Sequence, residues 1–203
     1  MKTENKFYVI LFTFTITFVF VVILSYINSL TYDKVLENRE YFKVRAILNA
    51  MRIDFSDKMD AIEKFKKYVK KINIGGKDFY VSNVDEKVYA YVFSGNGLWG
   101  TITGVIALNK NLDRIVGVDI ISQNETPGLG GRIEEDWFKE QFRGEKVDKE
   151  IGIKKSEKLG DSNKENYSVD AITGATLTSK FFVKIINNTI SEMRKVLRGD
   201  TYE

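Results

Sequence analysis

One stretch near the end of the chain decides how the rest is interpreted: Asp170-Ala171-Ile172-Thr173-Gly174-Ala175-Thr176-Leu177-Thr178-Ser179. Gly174 and Ala175 have the smallest side chains, so a bulky group can approach this backbone closely. The apolar residues that follow recur at helical spacing, at positions 182, 185, 186, 190, 193 and 197. This spacing predicts an amphipathic helix with one apolar face and one charged face.

The start of this helix is the candidate site. Thr178 or Ser179 is the predicted N-cap, which puts Thr176 at a helix N-terminus. Free N–H groups and the helix dipole favour an anion such as a phosphate at that position. A capped helix after a glycine turn would have the same pattern without any ligand, so the helix pattern alone leaves both interpretations open.

The composition excludes several kinds of chemistry. The 203-residue chain contains no cysteine and no histidine. This excludes disulfides, iron–sulfur ligation by this chain, His-ligated haem and the usual zinc sites, so no metal site is predicted. It also excludes Ser-His-Asp and Cys-His catalysis, and no catalytic residue is predicted. If the protein handles electrons, an organic cofactor must carry them. The net charge of +3, evenly spread, does not indicate a nucleic acid partner.

A second distinctive stretch holds the only proline of the chain, Glu125-Thr126-Pro127-Gly128-Leu129-Gly130-Gly131. Pro127-Gly128 suits the centre of a type II turn. Sharp loops at strand ends often carry binding residues. By itself, however, this stretch is also compatible with an ordinary turn.

A third stretch, Gly95-Asn96-Gly97-Leu98-Trp99-Gly100, fits the G-x-G-x-x-G pattern. A dinucleotide-binding fingerprint needs a helix after the glycines. The residues that follow are rich in β-branched side chains, so the sequence predicts a hairpin turn instead.

These stretches resemble the FMN-binding subunits of membrane redox complexes, namely the G subunit of the Rnf complex and the C subunit of sodium-translocating NADH:quinone reductase. The match to that family's Asp-x-x-(Ser/Thr)-Gly-Ala-Thr motif holds position by position, at Asp170, Thr173, Gly174, Ala175 and Thr176. The Glu-Thr-Pro-Gly-Leu-Gly stretch, with Trp137 a few residues later, and the Gly-x-Gly-Leu-Trp-Gly turn resemble two further features of the family.

The resemblance implies a covalent cofactor. In the family the last threonine of the motif, here Thr176, is joined through its oxygen to the FMN phosphate by a Mg-dependent flavin transferase that uses FAD. Glu125 and Thr126 are expected to supply polar contacts to the flavin ring or ribityl chain, and Leu129 an apolar one. Leu98 and Trp99 are expected to pack on the flavin ring or, alternatively, in the core. Asp170 is expected to hold the attachment loop or to serve the transferase and its magnesium. The full set of expected cofactor-site residues is Thr176, Thr173, Gly174, Ala175, Asp170, Leu177, Thr178, Glu125, Thr126, Gly128, Leu129, Leu98 and Trp99.

The N-terminal region predicts a membrane anchor. Residues 7–27 carry no charge and are long enough to cross a bilayer as a helix. A signal peptide is the competing interpretation. Lysines and arginines lie on both sides of this span, so charge does not favour a cytoplasmic N-terminus. The resemblance implies that orientation, with the soluble domain on the extracytoplasmic side of the cytoplasmic (inner) membrane.

The remaining pattern predicts an α+β domain with an antiparallel sheet and flanking helices. The predicted organisation is a tail (1–6), a transmembrane helix (7–27), a helical stalk and domain entry (28–72) and an FMN-binding domain (73–203). Helices are predicted over 33–51, 57–69 and 134–142, and strands over 79–84, 87–94, 99–108, 115–122 and 151–153. Residues 159–168 are predicted to form a polar loop.

The resemblance therefore implies a single-pass electron-carrier subunit of an ion-translocating oxidoreductase, with other membrane subunits and the flavin transferase as partners. The short chain favours the Rnf type over the C subunit of the quinone reductase. A stand-alone flavin-carrying domain is a further alternative within the family. From a different class, a membrane-anchored ligand-binding or sensor module would also explain the anchor and the single domain, but not the family motifs.

Overall fold

The computed structural model describes residues 6–154 and 160–199. The first five residues of the predicted tail, and Leu159 at the start of the predicted polar loop, lie outside the described residues. The chain divides into two compact units, Met1–Glu40 and Tyr41–Glu203. The predicted boundary at residue 73 falls inside the second unit.

The first helix, α1, runs without interruption over Lys6–Ala50. The predicted anchor and the predicted helix after it are therefore one element, because no glycine or proline interrupts this region. Among the described residues, α1 is the one helix with a stretch long and apolar enough to cross a membrane. The last turns of α1 belong to the second unit, where Ala46, Ile47 and Leu48 are buried.

A five-stranded antiparallel sheet forms the centre of the second unit. After α2 (Lys58–Tyr68), the chain forms a meander of five strands in spatial order, β1 (Val69–Ile74), β2 (Lys77–Ser82), β3 (Val88–Asn96), β4 (Thr101–Asn109) and β5 (Ile115–Ser122). The predicted α+β class and four of these strands are confirmed. The sequence pattern missed β1, because an edge strand with two lysines and exposed positions shows little apolar alternation.

The C-terminal half of the unit completes the fold. The helix α3 covers Asp136–Glu140, within the predicted helix 134–142, and is preceded by a 3-10 helix over Gly130–Glu134 that the sequence pattern did not predict. The short strands β6 (Gly152–Lys154) and β7 (Ser168–Asp170) pair in parallel, with Ile153 opposite Val169. Three-residue strands are too short to show periodicity, so β7 was not predicted, and its first residue, Ser168, was assigned to the polar loop. The last helix, α4, covers Thr176–Leu197.

Apolar clusters lie on both faces of the sheet, because alternate side chains of a strand point to opposite faces. One cluster joins Phe79, Phe93 and Ile106 to Phe182 and Ile186 of α4. The other joins Ala90, Val105 and Ala107 to the last turns of α1 and to Ala61 of α2. The sheet thus fixes α4, and with it the start of α4, against a rigid support.

Candidate functional site

The candidate site is built around the start of α4. The helix begins at Thr176, two residues before the predicted N-cap Thr178, and Ala175 is the N-cap residue. The prediction was wrong because both hydroxyls have other partners. Thr178 Oγ1 donates to Glu125 Oε2 over 2.7 Å, whereas Ser179 Oγ donates to the Ala175 carbonyl and accepts from the Ile172 N–H, each over 3.0 Å.

This arrangement leaves donors available at the helix start. The methyl side chain of Ala175 cannot accept a hydrogen bond. The first bond of α4 runs from the Ser179 N–H to the Ala175 carbonyl, over 3.0 Å. Within residues 6–154 and 160–199, no group accepts from the N–H groups of Thr176, Leu177 or Thr178. Three N–H groups at the positive end of a helix dipole are a fitting donor set for a phosphate.

The turn before α4 is open on one side. Gly174 has φ +79°, a left-handed conformation that disfavours residues with a Cβ. Thr173 and Gly174 are exposed, Thr176 is half-buried and Leu177 is exposed. The Thr176 hydroxyl therefore lies in a turn that a bulky group can approach, as the small residues of the motif predict.

The stretch 125–131 meets this turn through Glu125. The predicted type II turn at Pro127-Gly128 is confirmed by the 3.1 Å hydrogen bond from the Leu129 N–H to the Thr126 carbonyl and by φ +73° at Gly128. Leu129 lies beside Gly174, where an added Cβ would come within 3.1 Å of the leucine Cδ2. Thr126 and Leu129 are exposed, whereas Glu125 is buried.

The third stretch is the β3–β4 hairpin, as predicted. Asn96 pairs with Thr101, and the Gly97 N–H donates to the Gly100 carbonyl over 2.8 Å. Leu98 and Trp99 at its tip are exposed, with 72% of Trp99 accessible, so burial of either in the core is excluded. Their backbone N–H groups donate to Glu125 Oε1 over 2.8 and 3.0 Å. Glu125 thus joins all three predicted stretches.

The structure therefore brings together most of the sequence-predicted residues. Exposed apolar side chains of Leu98, Trp99, Leu129 and Leu177 lie on the loops that meet at Glu125 and on the first turn of α4. Apolar side chains near phosphate donors suit a ligand with an aromatic ring and a phosphate, such as FMN. The individual contacts to a flavin, including those of Glu125 and Thr126, stay predictions.

Asp170 is placed differently from the exposed residues of the site. It ends β7, its side chain is buried, and its Oδ1 has no hydrogen-bond partner among the described residues. Its backbone is held by Gln141, which accepts from the Asp170 N–H over 2.7 Å and donates to the Asp170 carbonyl over 3.3 Å. Gln141 also accepts from the Asp161 N–H over 2.9 Å. Sequence reasoning missed Gln141, because nothing in its local pattern marks a buried amide.

Asp161 orders the loop that leads into β7. Burial opposes its ionisation, but hydrogen bonds from Lys154, Asn166 and the Asn163 N–H outweigh this and lower the pKa of Asp161 to about 2. The distances from Lys154 Nζ and Asn166 Nδ2 to Asp161 Oδ2 are both 2.6 Å. The loop that leads into β7 is thus held by an ionised carboxylate whose side chain is only 6% exposed.

Comparison with known proteins shows what the region around this site is similar to. Residues 97–191, which include the stretches at 125–131 and 170–179 and the third stretch from Gly97 onward, match the family model for the FMN-binding domain. The G subunit of the proton-translocating ferredoxin:NAD(+) oxidoreductase complex of Clostridium ljungdahlii is 33% identical over 131 residues, which cover 64% of this chain and 66% of that relative. The C subunit of the Na(+)-translocating NADH-quinone reductase of Chlamydia muridarum is 35% identical over 120 residues, covering 51% of this chain and 38% of that relative.

A solved structure has the same fold. The C subunit of the Na(+)-translocating NADH-quinone reductase from Parabacteroides distasonis superposes with a TM-score of 0.66 at 26% identity, over 85% of this chain and 97% of that chain. The alignments with the two curated relatives span less than two-thirds of each relative's length, at 66% and 38%.

Proposed function

We propose that this chain, whose residues 97–191 match the FMN-binding domain, is an electron-carrier subunit of a membrane-bound, ion-translocating oxidoreductase of the Rnf type. Relatives of both the Rnf-like and quinone-reductase kinds are subunits of ion-translocating oxidoreductases. The apolar helix at the N-terminus supports a membrane-anchored protein. In this proposal the soluble domain lies on the extracytoplasmic side of the cytoplasmic membrane.

The attachment point in this proposal is Thr176. The observation that carries it is the set of three N–H groups without a protein acceptor at the first turn of α4, which Thr176 itself begins, in the part of the chain that the structure describes. These donors would hold the FMN phosphate, and the exposed side chains of Leu98, Trp99 and Leu129 would contact the ring. When bound, the flavin supplies reversible electron transfer between neighbouring redox centres.

The attachment step balances with FAD as the donor. The Thr176 Oγ1 forms a bond to the phosphorus of the FMN half, while the bond from that phosphorus to the oxygen it shares with the AMP half breaks. AMP leaves with the bonding electron pair, and the hydroxyl proton is lost to a base of the flavin transferase. In this proposal the Mg-dependent flavin transferase is a partner of the chain during maturation.

The Rnf type is preferred to the quinone reductase because the alignment covers a larger share of the relative of the Rnf kind. The alignment with the Clostridium relative covers 66% of that protein, whereas the alignment with the Chlamydia relative covers only 38%. The fold match to the Parabacteroides structure keeps the quinone reductase as the second candidate. A reconstituted complex decides between them. If adding this chain restores a ferredoxin-dependent activity, the Rnf type is supported, and if it restores a quinone-dependent activity, the quinone reductase is supported.

The first experiment is the intact mass of the purified, denatured protein after coexpression with a flavin transferase. We expect a gain of one FMN less one water, with flavin fluorescence that survives denaturation. Thr176→Ala should abolish the gain, and Thr176→Ser should retain part of it because serine keeps the nucleophilic hydroxyl. An unmodified wild-type mass under these conditions would reject covalent attachment and favour the sensor or ligand-binding module.

A further inference from the structure

We propose that Glu125 is a positioning residue that clamps the β3–β4 hairpin tip to the start of α4, so that the cofactor surface is preformed before any flavin arrives. The role of the clamp in cofactor binding rests on the proposed function, but every contact that forms the clamp lies within this chain. It assigns Glu125 a role through other groups rather than a contact with the flavin.

The carboxylate of Glu125 is the point where three segments meet. The residue is only 4% exposed. Its Oε1 accepts from the backbone N–H groups of Leu98 and Trp99, and its Oε2 accepts from the hydroxyl of Thr178. Both oxygens therefore have protein donors, on a hairpin and on a helix that are far apart in sequence.

The bonds to the hairpin are made to its backbone and not to its side chains. The side chains of Leu98 and Trp99 therefore stay exposed while their backbone is held. Hydrogen bonds to an ionised acceptor are stronger than those between neutral groups. A buried carboxylate can in this way hold an exposed apolar tip in one place, where burial of the tip itself cannot.

Two glycines pack directly against this carboxylate. A Cβ added at Gly130 would come within 2.6 Å of Thr178 Oγ1 and 2.9 Å of Glu125 Oε2. A Cβ added at Gly97 would overlap Glu125 Oε1. Both clashes involve the clamp, so the two glycines provide the space in which the carboxylate reaches its three donors.

The clamp also connects the tip to the attachment turn. Thr178 lies in the first turn of α4, two residues after Thr176. Since Thr178 and Leu98 share one carboxylate, the hairpin tip and the helix start cannot move independently. This coupling deepens the proposed function, because ring contacts and phosphate donors then keep one mutual geometry.

The test measures backbone amide exchange in the flavin-free, full-length protein in detergent. In Glu125→Leu, the amides of Leu98 and Trp99 should exchange at least about tenfold faster than in the wild type, because both lose their acceptor. Glu125→Gln should restore most of the protection, because its amide oxygen can accept from the same two N–H groups. Amides in the centre of β4 should be unchanged in both variants.

Two threonines of the same helix provide a matched pair. Thr178→Val removes the hydroxyl that binds Glu125, whereas Thr189→Val removes an equally buried hydroxyl that bonds only to the Ile185 carbonyl of its own helix. In a Trp137→Phe background, Trp99 is the only tryptophan. Its fluorescence anisotropy should fall in Thr178→Val and stay unchanged in Thr189→Val. This pair tests the clamp even if Glu125→Leu fails to fold.

Three results would overturn the proposal. They are unchanged exchange at Leu98 and Trp99 in Glu125→Leu, no rescue by Glu125→Gln, or equal anisotropy changes in Thr178→Val and Thr189→Val. None of these readouts requires bound flavin, so they stay decisive if Thr176 proves unmodified. In protein that does carry flavin, the visible circular dichroism of the ring should change in Thr178→Val and not in Thr189→Val.

Discussion

At the scale of single residues, the site depends on groups that are closely packed. Gly130 packs against Glu125 and Thr178, whereas its neighbour Gly131 has only the flexible end of Gln123 and the Thr126 carbonyl nearby, at 3.3 and 3.4 Å. The two adjacent glycines therefore differ in how closely their neighbours pack against them, and substituting each one by alanine tests this difference.

We expect Gly130→Ala to lower the free energy of unfolding by about 1–3 kcal/mol, because overpacking displaces the carboxylate or the start of α4. Gly131→Ala is the control and should cause a smaller loss. Urea unfolding monitored by circular dichroism compares the two variants. Equal losses would show that Gly130 is not needed to make space for the Glu125 carboxylate.

A second residue-scale prediction concerns Asp161 and pH. Its pKa is lowered from an ordinary 3.8 to about 2. A lowered pKa stabilises the fold above the unfolded value, and this stability is lost as pH falls from 3.8 towards about 2. Asp161→Asn should therefore cost about 2 kcal/mol at pH 7, and the difference from the wild type should shrink over that acid range.

The measurement for Asp161 is urea unfolding at pH 7 and at a series of acidic pH values. The control is Glu165→Gln in the same loop, where an exposed carboxylate pairs with Arg114 and Lys146. Exposed ion pairs contribute little because solvent screens them, so Glu165→Gln should cost less stability than Asp161→Asn. A loss for Asp161→Asn that does not vary with pH would contradict the role of its charge.

At the scale of elements, α4 positions the site because its apolar face is fixed in the core. Phe182 is fully buried, with ring centroids 6.0 Å from Phe93, 5.7 Å from Phe138 and 5.5 Å from Phe142. These rings come from β3, from α3 and from the turn after it, so the aromatic cluster sets where the first turns of α4 lie.

Phe182→Ala should therefore lower the free energy of unfolding by about 3–5 kcal/mol, since it leaves a cavity among three rings. The neighbouring Phe181 is 37% exposed, and Phe181→Ala is the matched control with a much smaller expected loss. Thermal unfolding with and without attached flavin measures both. Similar losses for the two variants would show that the cluster does not hold α4.

At the scale of the whole molecule, the proposed function needs an anchor and a side of the membrane. The apolar window of α1 is unburied within its own chain, as expected for a helix that contacts lipid. Charge did not indicate an orientation, so the extracytoplasmic placement of the domain must be measured directly.

The absence of cysteine makes this measurement simple. We expect Met59→Cys, at a position with 76% exposure, to react with a membrane-impermeant maleimide on intact spheroplasts. Lys6→Cys, on the other side of the apolar span, should react only after permeabilisation. The opposite labelling pattern would place the domain in the cytoplasm.

The sequence by itself determined the local elements and the motifs. Apolar periodicity predicted α2, α4 and four strands, because these elements each bury one face. The Pro127-Gly128 turn and the hairpin at Gly97–Gly100 were predicted because glycine allows the positive φ values that turns need and proline fixes φ at a value suited to a turn. The family was indicated by residue identity at Asp170 to Thr176, and the FMN-binding domain match agrees with it.

Only the tertiary structure decided where the helix carrying Thr176 begins and how the three motifs meet. Local rules made Thr178 an N-cap, but its hydroxyl binds Glu125, which is distant in sequence. The sequence likewise could not indicate that Glu125 is buried, or that Gln141 holds Asp170. Periodicity reports which face of an element is apolar, whereas these contacts depend on which elements the sheet brings together.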